Sequence, residues 1–130
     1  MSDTPSLPSW VFNLFNEAHG VRRTLAPGIE SRVFAGRQAM LSVVRFEPGS
    51  VGVMHSHPEE QWGVLLEGEC LRLQGDEAVA MKVGDFWHTP GGVPHTIRTG
   101  PAGALVLDIF SPPRPEYTRP GEGFGQAPDA

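Results

Sequence analysis

The sequence has little cysteine, little positive charge and no long hydrophobic run. A single cysteine, Cys70, excludes an internal disulfide framework. Only 10 Lys and Arg residues, a net charge of −5 and the lack of a basic cluster argue against nucleic acid and anionic membranes as partners. No apolar run approaches the ~20 residues of a spanning helix, and MSDTPSLPSW lacks a secretory signal pattern. We therefore expect a cytoplasmic protein that binds neither membrane nor nucleic acid.

Helical periodicity is also missing from the middle of the chain. The 16 Gly and 13 Pro mark many turns, and between them stand short alternating segments typical of strands. This pattern predicts an all-β sandwich or barrel. We assign it residues 31–112, preceded by a segment, 1–30, that packs on the barrel or a partner. A Pro/Gly-rich extension, 113–130, should be partly mobile.

Two histidines one residue apart, His55 and His57, carry the strongest chemical signal. If residues 51–57 form a strand, alternate side chains share a face and both imidazoles converge on one point. The turn PGGVP delivers a third histidine, His95, onto the start of another strand. Three neutral imidazoles and one oxygen donor suit a first-row divalent metal.

The oxygen donor is not decided by alternation. Continued alternation would place Glu59 and Gln61 on the face of the histidines, but Pro58 interrupts the strand. Glu59, Glu60 and Gln61 therefore all stay open as the fourth ligand at this point.

The spacing of these residues resembles the two sequence motifs of the cupin family. The first motif, Gly, five residues, His-x-His, three or four residues, Glu, six residues and Gly, is matched by Gly49, His55, His57, Gln61 and Gly68. The second, Gly, five residues, Pro-x-Gly, two residues, His, three residues and Asn, is matched by Gly84, Pro90, Gly92, His95 and Thr99. Two positions depart from the family pattern, where Gln61 replaces the glutamate and Thr99 the asparagine.

The resemblance implies a small double-stranded β-helix, a jelly-roll barrel, with one divalent metal in its mouth. The implied ligands are His55, His57, His95 and Gln61, and the same donors suit nickel, iron, manganese, copper or zinc. A neutral amide leaves the charge of the ion uncompensated, which favours Lewis acidity and an anionic substrate. Because such cupins are often dimeric, we expect a homodimer.

The last predicted strand places an aspartate among apolar residues. A carboxylate there is costly unless it has a partner or a task. Asp108 and Phe110 share one face and would lie near the metal if that face points inward. Alternatively, Asp108 is a structural carboxylate paired with Arg45 or Arg98. Arg114 could reach back over the mouth or lie on the surface.

A narrower resemblance links the chain to cupins that act on 4,5-unsaturated uronates. These carry an HxHPxxQ motif, matched by HSHPEEQ, and a terminal Asp-x-Phe-x-x-x-Arg segment, matched by Asp108, Phe110 and Arg114. The resemblance implies that Asp108 transfers protons, Arg114 anchors the substrate carboxylate and Phe110 forms a wall of the pocket. From its position near the second motif, we also expect His88 to line the pocket as a general acid or base.

These observations favour a metal-dependent enzyme of isomerase or lyase type acting on a small oxygen-rich acid. Ring opening and ketonisation of a 4,5-unsaturated uronate is its most concrete form. One alternative is an iron-dependent dioxygenase, which three neutral imidazoles permit. Another is a non-catalytic module that binds a sugar or metabolite.

Overall fold

The computed structural model describes residues 7–124, which are built almost entirely of β-strands, as predicted. The elements in this range are β1 (Val21–Ala26), β2 (Ile29–Ala35), β3 (Met40–Phe46), β4 (Glu60–Gln74), β5 (Glu77–Lys82), β6 (Phe86–Thr89), β7 (His95–Arg98), β8 (Ala104–Ser111), a 3₁₀ turn (Pro115–Thr118) and β9 (Gly121–Glu122). No helix among these residues is long and apolar enough to cross a membrane. The outermost parts of the expected N-terminal segment and C-terminal extension, 1–6 and 125–130, lie outside the described residues.

The strands pair in the order β5-β4-β8-β3-β2-β1-β9, and β6 and β7 also pair with β4. All these pairings are antiparallel except the one between β1 and β9. The register places Asp108 of β8 opposite Ser42 of β3 on one side and Gly63 of β4 on the other. Inward-facing residues of the three strands therefore form layers across the barrel interior.

The structure differs from the predicted strands at two places in the chain. The segment 51–57 forms isolated bridges at Val51 and His55 in place of a continuous strand. The composition of EGE, 67–69, predicts a turn between two strands, but these residues lie inside the single long strand β4 and do not separate two strands. Gly68 does not turn the chain back: it adopts a φ of +81°, and an added Cβ would lie 2.1 Å from the carbonyl oxygen of Gly103. Its role is close approach within the sheet.

An apolar cluster fills the interior beside this polar layer, and burial of such side chains is the main stabilising contribution to the fold. It is built from inward positions of most strands and includes Ile29, Val33, Val44, Leu65, Ile97, Val106 and Phe110. Trp87 closes one side against β4, where Gly63 is required because a Cβ there would lie 2.4 Å from the indole Nε1.

The two segments that flank the predicted barrel meet on the sheet. Strand β1 lies inside the segment 1–30 and pairs with β2. Residues 112–124, here called the C-terminal strap, fold back so that β9 pairs with β1. Arg23, which is 8% exposed, donates hydrogen bonds to the carbonyl oxygens of Glu116, Glu122 and Gly123 at 2.7–2.8 Å. As far as residue 124, the strap is therefore tied to the barrel.

Candidate metal centre

The three histidines come together through a backbone bridge and a tight turn. His55 and His95 exchange two backbone hydrogen bonds, of 3.2 and 2.9 Å, so their side chains emerge next to each other. His57 is placed by the turn that precedes His95, since Gly92 N–H donates to its carbonyl oxygen at 2.8 Å. Gly91 allows this approach, because a Cβ would lie 2.2 Å from the carbonyl oxygen of Pro58. The result is one ring nitrogen from each histidine within 4.8 Å of the others.

Hydrogen bonds to the backbone select the tautomer of each imidazole. Nδ1 lies 2.8 Å from the Val53 carbonyl in His55, 3.0 Å from the Glu59 carbonyl in His57 and 2.8 Å from the Val93 carbonyl in His95. A carbonyl oxygen only accepts, so each Nδ1 must carry the proton. Each Nε2 therefore presents a lone pair, the arrangement expected of metal-ligating histidines.

Gln61 supplies an oxygen to the same point. Its amide NH₂ donates to Asp108 Oδ1 at 3.0 Å, and its Oε1 consequently faces His57 Nε2, also at 3.0 Å. Two lone pairs thus face each other in a buried place, because His57 Nδ1 holds the proton of a neutral ring. Such an arrangement is stabilised by a cation between the two acceptors. Alternation thus resumes at Gln61 after Pro58, on the face of the histidines.

The electrostatics favour neutral imidazoles. Burial lowers the pKa of His55 and of His57 to about 4 and that of His95 to about 2. The Arg72 cation acts in the same direction on all three pKa values, and the Arg114 cation on those of His55 and His57. All three rings are therefore deprotonated at neutral pH, which metal binding requires. His95 Nε2 is buried and has no hydrogen-bond partner among the described residues. The donor set fits a divalent transition metal, which His55, His57, His95 and Gln61 would hold.

Asp108 lies on the inner face of β8, beside the amide of Gln61. It is 9% exposed, and burial raises its pKa to about 6, although Arg72, the Gln61 hydrogen bond and Arg114 oppose this rise. The arginines that face this carboxylate are therefore Arg72 and Arg114. Arg45 and Arg98, which we considered as its structural partners, have exposed side chains.

Phe110 and Arg114 differ in their position relative to the cavity. Phe110 lines the cavity, and its ring centroid lies 5.4 Å from that of His57. Arg114 is fully buried, which excludes a surface position; its guanidinium lies 4.2 Å from the Tyr117 ring centroid. Its Nε is 3.7 Å from Glu59 Oε1.

Glu59, one of the three residues that the sequence left open as the fourth ligand, is buried. It is 7% exposed, and Oε1 lies 3.5 Å from His57 Nδ1 and 3.7 Å from Arg114 Nε. Glu59 therefore contacts the nitrogen of His57 that faces away from the metal position. This geometry makes Glu59 an outer partner of His57, and it leaves the ligand position to Gln61.

His88 lies outside this group. In the register of β4 and β6, Gln61 pairs with Thr89, which is buried, while His88 pairs with the outward-facing Trp62. His88 stacks on Trp62 at 4.6 Å, and its Nε2 lies 2.6 Å from Glu60 Oε2. Strand alternation thus carries the imidazole to the outer surface, away from the pocket that we expected it to line.

Arg72 is the residue of the site that sequence reasoning missed. Strict alternation from Gln61 would direct an even-numbered residue of β4 outward. The pairing of β4 with β8 is irregular between Leu65 and Glu67, and this irregularity shifts the phase. Gln61 and Leu65 point inward before it, whereas Cys70 and Arg72 do so after it. Only a glycine at position 68 hinted at an irregular strand.

The cavity at this centre is small and covered. It has a volume of about 30 Å³, and its lining includes the polar residues His55, Gln61, Arg72, His95 and Asp108. Tyr117 and Phe124 of the C-terminal strap also line it, and the Phe124 ring lies 4.6 Å from that of His55. The strap therefore forms part of the cavity wall.

Comparison with known proteins agrees with this geometry. A family model described as "Cupin domain" matches residues 42–110, more than half of the chain. A curated relative, the oxalate decarboxylase OxdC of Bacillus subtilis, is 31% identical over 72 residues, which cover 52% of this chain and 19% of the relative. The matched region is thus a small part of that enzyme.

Two solved structures cover most of the barrel. KdgF from Halomonas sp. has a TM-score of 0.71 and 27% identity, over 78% of this chain and 94% of the other. An RmlC-like cupin from Shewanella frigidimarina also has a TM-score of 0.71, with 22% identity over 78% of this chain and 91% of the other. The second likeness concerns the fold alone.

Proposed function

We propose, since this chain belongs to the cupin family, that it is a metal-dependent enzyme acting on a small oxygen-rich acid. Its most concrete reaction is the opening and ketonisation of a 4,5-unsaturated uronate. The observation that carries the proposal is the contact between Asp108 and Gln61, which joins a proton-transferring group to a four-donor metal centre. The bound ion would supply Lewis acidity to an oxygen of the substrate.

The side chains that line the cavity have different roles in the proposed reaction. Asp108 is the base, because a pKa near 6 lets a carboxylate take up and return a proton close to neutral pH. In the proposed reaction it takes the proton of the anomeric hydroxyl. The bond between C1 and the ring oxygen then breaks, giving an aldehyde at C1 and an enolate at C5.

The proton returns to C4, and a ketone forms at C5. The reaction is an isomerisation, so no oxidant or reductant is consumed. Phe110 beside His57 excludes water from the reacting face. Because a cavity of about 30 Å³ holds at most a few water molecules, the C-terminal strap must move aside when a uronate enters.

The proposal is tested by following the ultraviolet absorbance of unsaturated galacturonate with metal-loaded protein. We expect the absorbance to fall, and the rate to vanish after chelation. Asp108→Asn should lower the rate by at least about 100-fold while metal content is kept. Asp76→Asn, which alters an exposed aspartate in a turn, is the matched control and should keep the full rate.

Two results would count against this function. If the metal-loaded protein leaves the absorbance unchanged, the uronate reaction is excluded. If Asp108→Asn empties the site or unfolds the chain, Asp108 is a structural carboxylate that holds the Gln61 amide.

A second candidate is metal-dependent decarboxylation of a small dicarboxylate. It is favoured by the 31% identity to an oxalate decarboxylase and by the small cavity. Release of CO₂ from oxalate by the manganese-loaded protein, with no change in unsaturated galacturonate, would establish it in place of the first.

A further inference from the structure

One arginine side chain that the family motifs did not indicate lines the cavity. Arg72 lines it together with His55, His95 and Asp108, and its side chain is 4% exposed. Arg114, to which the resemblance gave the role of carboxylate anchor, is not among the described residues that line this cavity. The two arginines are therefore not equivalent with respect to a ligand.

Arg72 is held by neutral groups. Its Nη2 donates to Thr89 Oγ1 at 2.7 Å and its Nε to Gln74 Oε1 at 3.3 Å, while the guanidinium lies 5.4 Å from the Trp87 ring centroid. Within residues 7–124, no carboxylate oxygen lies within 4 Å of its nitrogens. Asp108 acts on the Arg72 cation from beyond salt-bridge distance. A bound anion in direct contact would further offset the cost of burying this charge.

Arg114 has the opposite surroundings. Its Nε lies 3.7 Å from Glu59 and its Nη2 3.8 Å from Glu116, and it packs against the rings of Tyr117 and Phe110. Two carboxylates of the chain therefore lie within salt-bridge distance of it. Its contacts link the strap to Glu59, which itself lies 3.5 Å from His57. This geometry makes Arg114 a positioning residue.

We infer that Arg72 is the anchor for the carboxylate of the substrate, and that the enzyme takes acids whose carboxylate lies beside the oxygen that the metal would polarise. The inference rests on the proposed function for the identity of the site, but it concerns binding and does not depend on the reaction. The Thr89 and Gln74 contacts orient the guanidinium before the ligand arrives. Such pre-organisation is what a bidentate contact with a carboxylate requires.

The test uses two sugars that differ only in the carboxylate. Galacturonate and galactose are titrated calorimetrically into the zinc-loaded protein and into Arg72→Met, Arg72→Lys and Arg98→Met. Arg98 is an exposed arginine on β7, paired with Leu71 of β4, and serves as the matched control. We expect Arg72→Met to weaken galacturonate binding by at least about 30-fold, Arg72→Lys to weaken it less, and Arg98→Met to leave it unchanged.

Metal content and thermal unfolding are measured on each variant, and Arg72→Gln replaces Arg72→Met if the latter does not fold. Equal galacturonate affinity in the wild type and in the folded uncharged variant of Arg72 would overturn the inference. So would a wild type that binds galacturonate no tighter than galactose. Loss of binding in Arg114→Met alone would return the anchor to Arg114. Arg72-dependent binding without any turnover of unsaturated galacturonate would keep the anchor and remove the proposed reaction.

Discussion

The same strands build two unlike regions of the barrel interior. Toward one end of the barrel, β8, β4 and β3 direct Asp108, Gln61 and Ser42 inward. The inward residues are Val106 and Val44 at a distance of two residues along β8 and β3, and Leu65 at a distance of four residues along β4. The backbone ladder runs through both regions without interruption. The apolar region gains stability from burial. In the polar region, hydrogen bonds to other side chains or to the backbone satisfy many of the buried groups, whereas His95 Nε2 has no such partner among the described residues.

In this fold, the residues that stabilise the barrel and the residues that would bind metal and ligand therefore lie at different positions along the same strands. A substitution in the polar region should change metal or ligand binding more than folding, and one in the apolar region the reverse. Three experiments test this division, and a fourth tests how the C-terminal strap is held beside the polar region.

The largest effect is expected from His95→Ala. It removes one of three imidazoles and should weaken zinc binding by more than about 100-fold, since loss of an outer-shell partner alone costs 10–100-fold. Zinc affinity is measured by competition with a chelating dye. His19→Ala is the control, because His19 is exposed and remote in sequence from the motifs. Retention of tight zinc binding by His95→Ala would exclude the ligand set described above.

Leu65→Ala should produce the converse result in the apolar region. Leu65 is fully buried, and its truncation should lower the free energy of unfolding by about 2–5 kcal/mol. Urea unfolding measures the loss, and the folded variant should still bind one zinc ion. Leu41→Ala on β3, where the side chain is 39% exposed, is the matched control and should cost far less. Equal losses for the two leucines would contradict the assigned core.

Acid should destabilise the metal-free protein through its polar region. The folded pKa values of the three imidazoles, about 4, 4 and 2, lie below the ordinary 6.5, so only the unfolded chain takes up these protons as the pH falls from 6.5 to 4. Asp108, with a folded pKa of about 6 against an ordinary 3.8, acts oppositely. It takes up a proton in the folded state over this range and so cancels the effect of one of the three imidazoles. Stability should therefore fall on acidification, by about 1.4 kcal/mol per net proton and pH unit.

The measurement is urea unfolding in chelator at several pH values between 4.5 and 7. His95→Ala should flatten the slope, because one of the protons is lost with the ring. A stability independent of pH over this range, or a slope that His95→Ala does not change, would contradict neutral burial of the histidines.

The smallest effect is expected at the C-terminal strap. Arg23→Met removes three hydrogen bonds to the strap carbonyls, and it should raise amide exchange at Gly123, whose N–H donates to the Thr24 carbonyl. We expect an increase of about 10-fold with little change in global stability. Arg22→Met, at the exposed neighbouring position, is the control. Unchanged exchange would show that Arg23 does not hold the strap.

Much of the site could be predicted from local patterns. The histidine pair, the rigid turn before His95 and the alternation around Asp108 each depend on a few neighbouring residues, and the structure brings these side chains together. The all-β architecture followed in the same way from turn residues and from the lack of helical periodicity.

Other features could not be read locally. The inward position of Arg72 depends on an irregularity in the pairing of β4 with β8, and Gly68 meets a carbonyl of residue 103 there. The outward position of His88 follows from its register with Trp62. Both are decided by a partner strand that lies far away in the sequence.

The sequence by itself determined which residue types surround the centre: neutral imidazoles, an amide and an aspartate at spacings that a strand and a turn can bring together. The tertiary structure alone decided which arginine lines the cavity and which residues of the C-terminal strap lie against it. The physical reason is that the side-chain direction in a strand has a period of two, so one irregularity in pairing reverses every position beyond it.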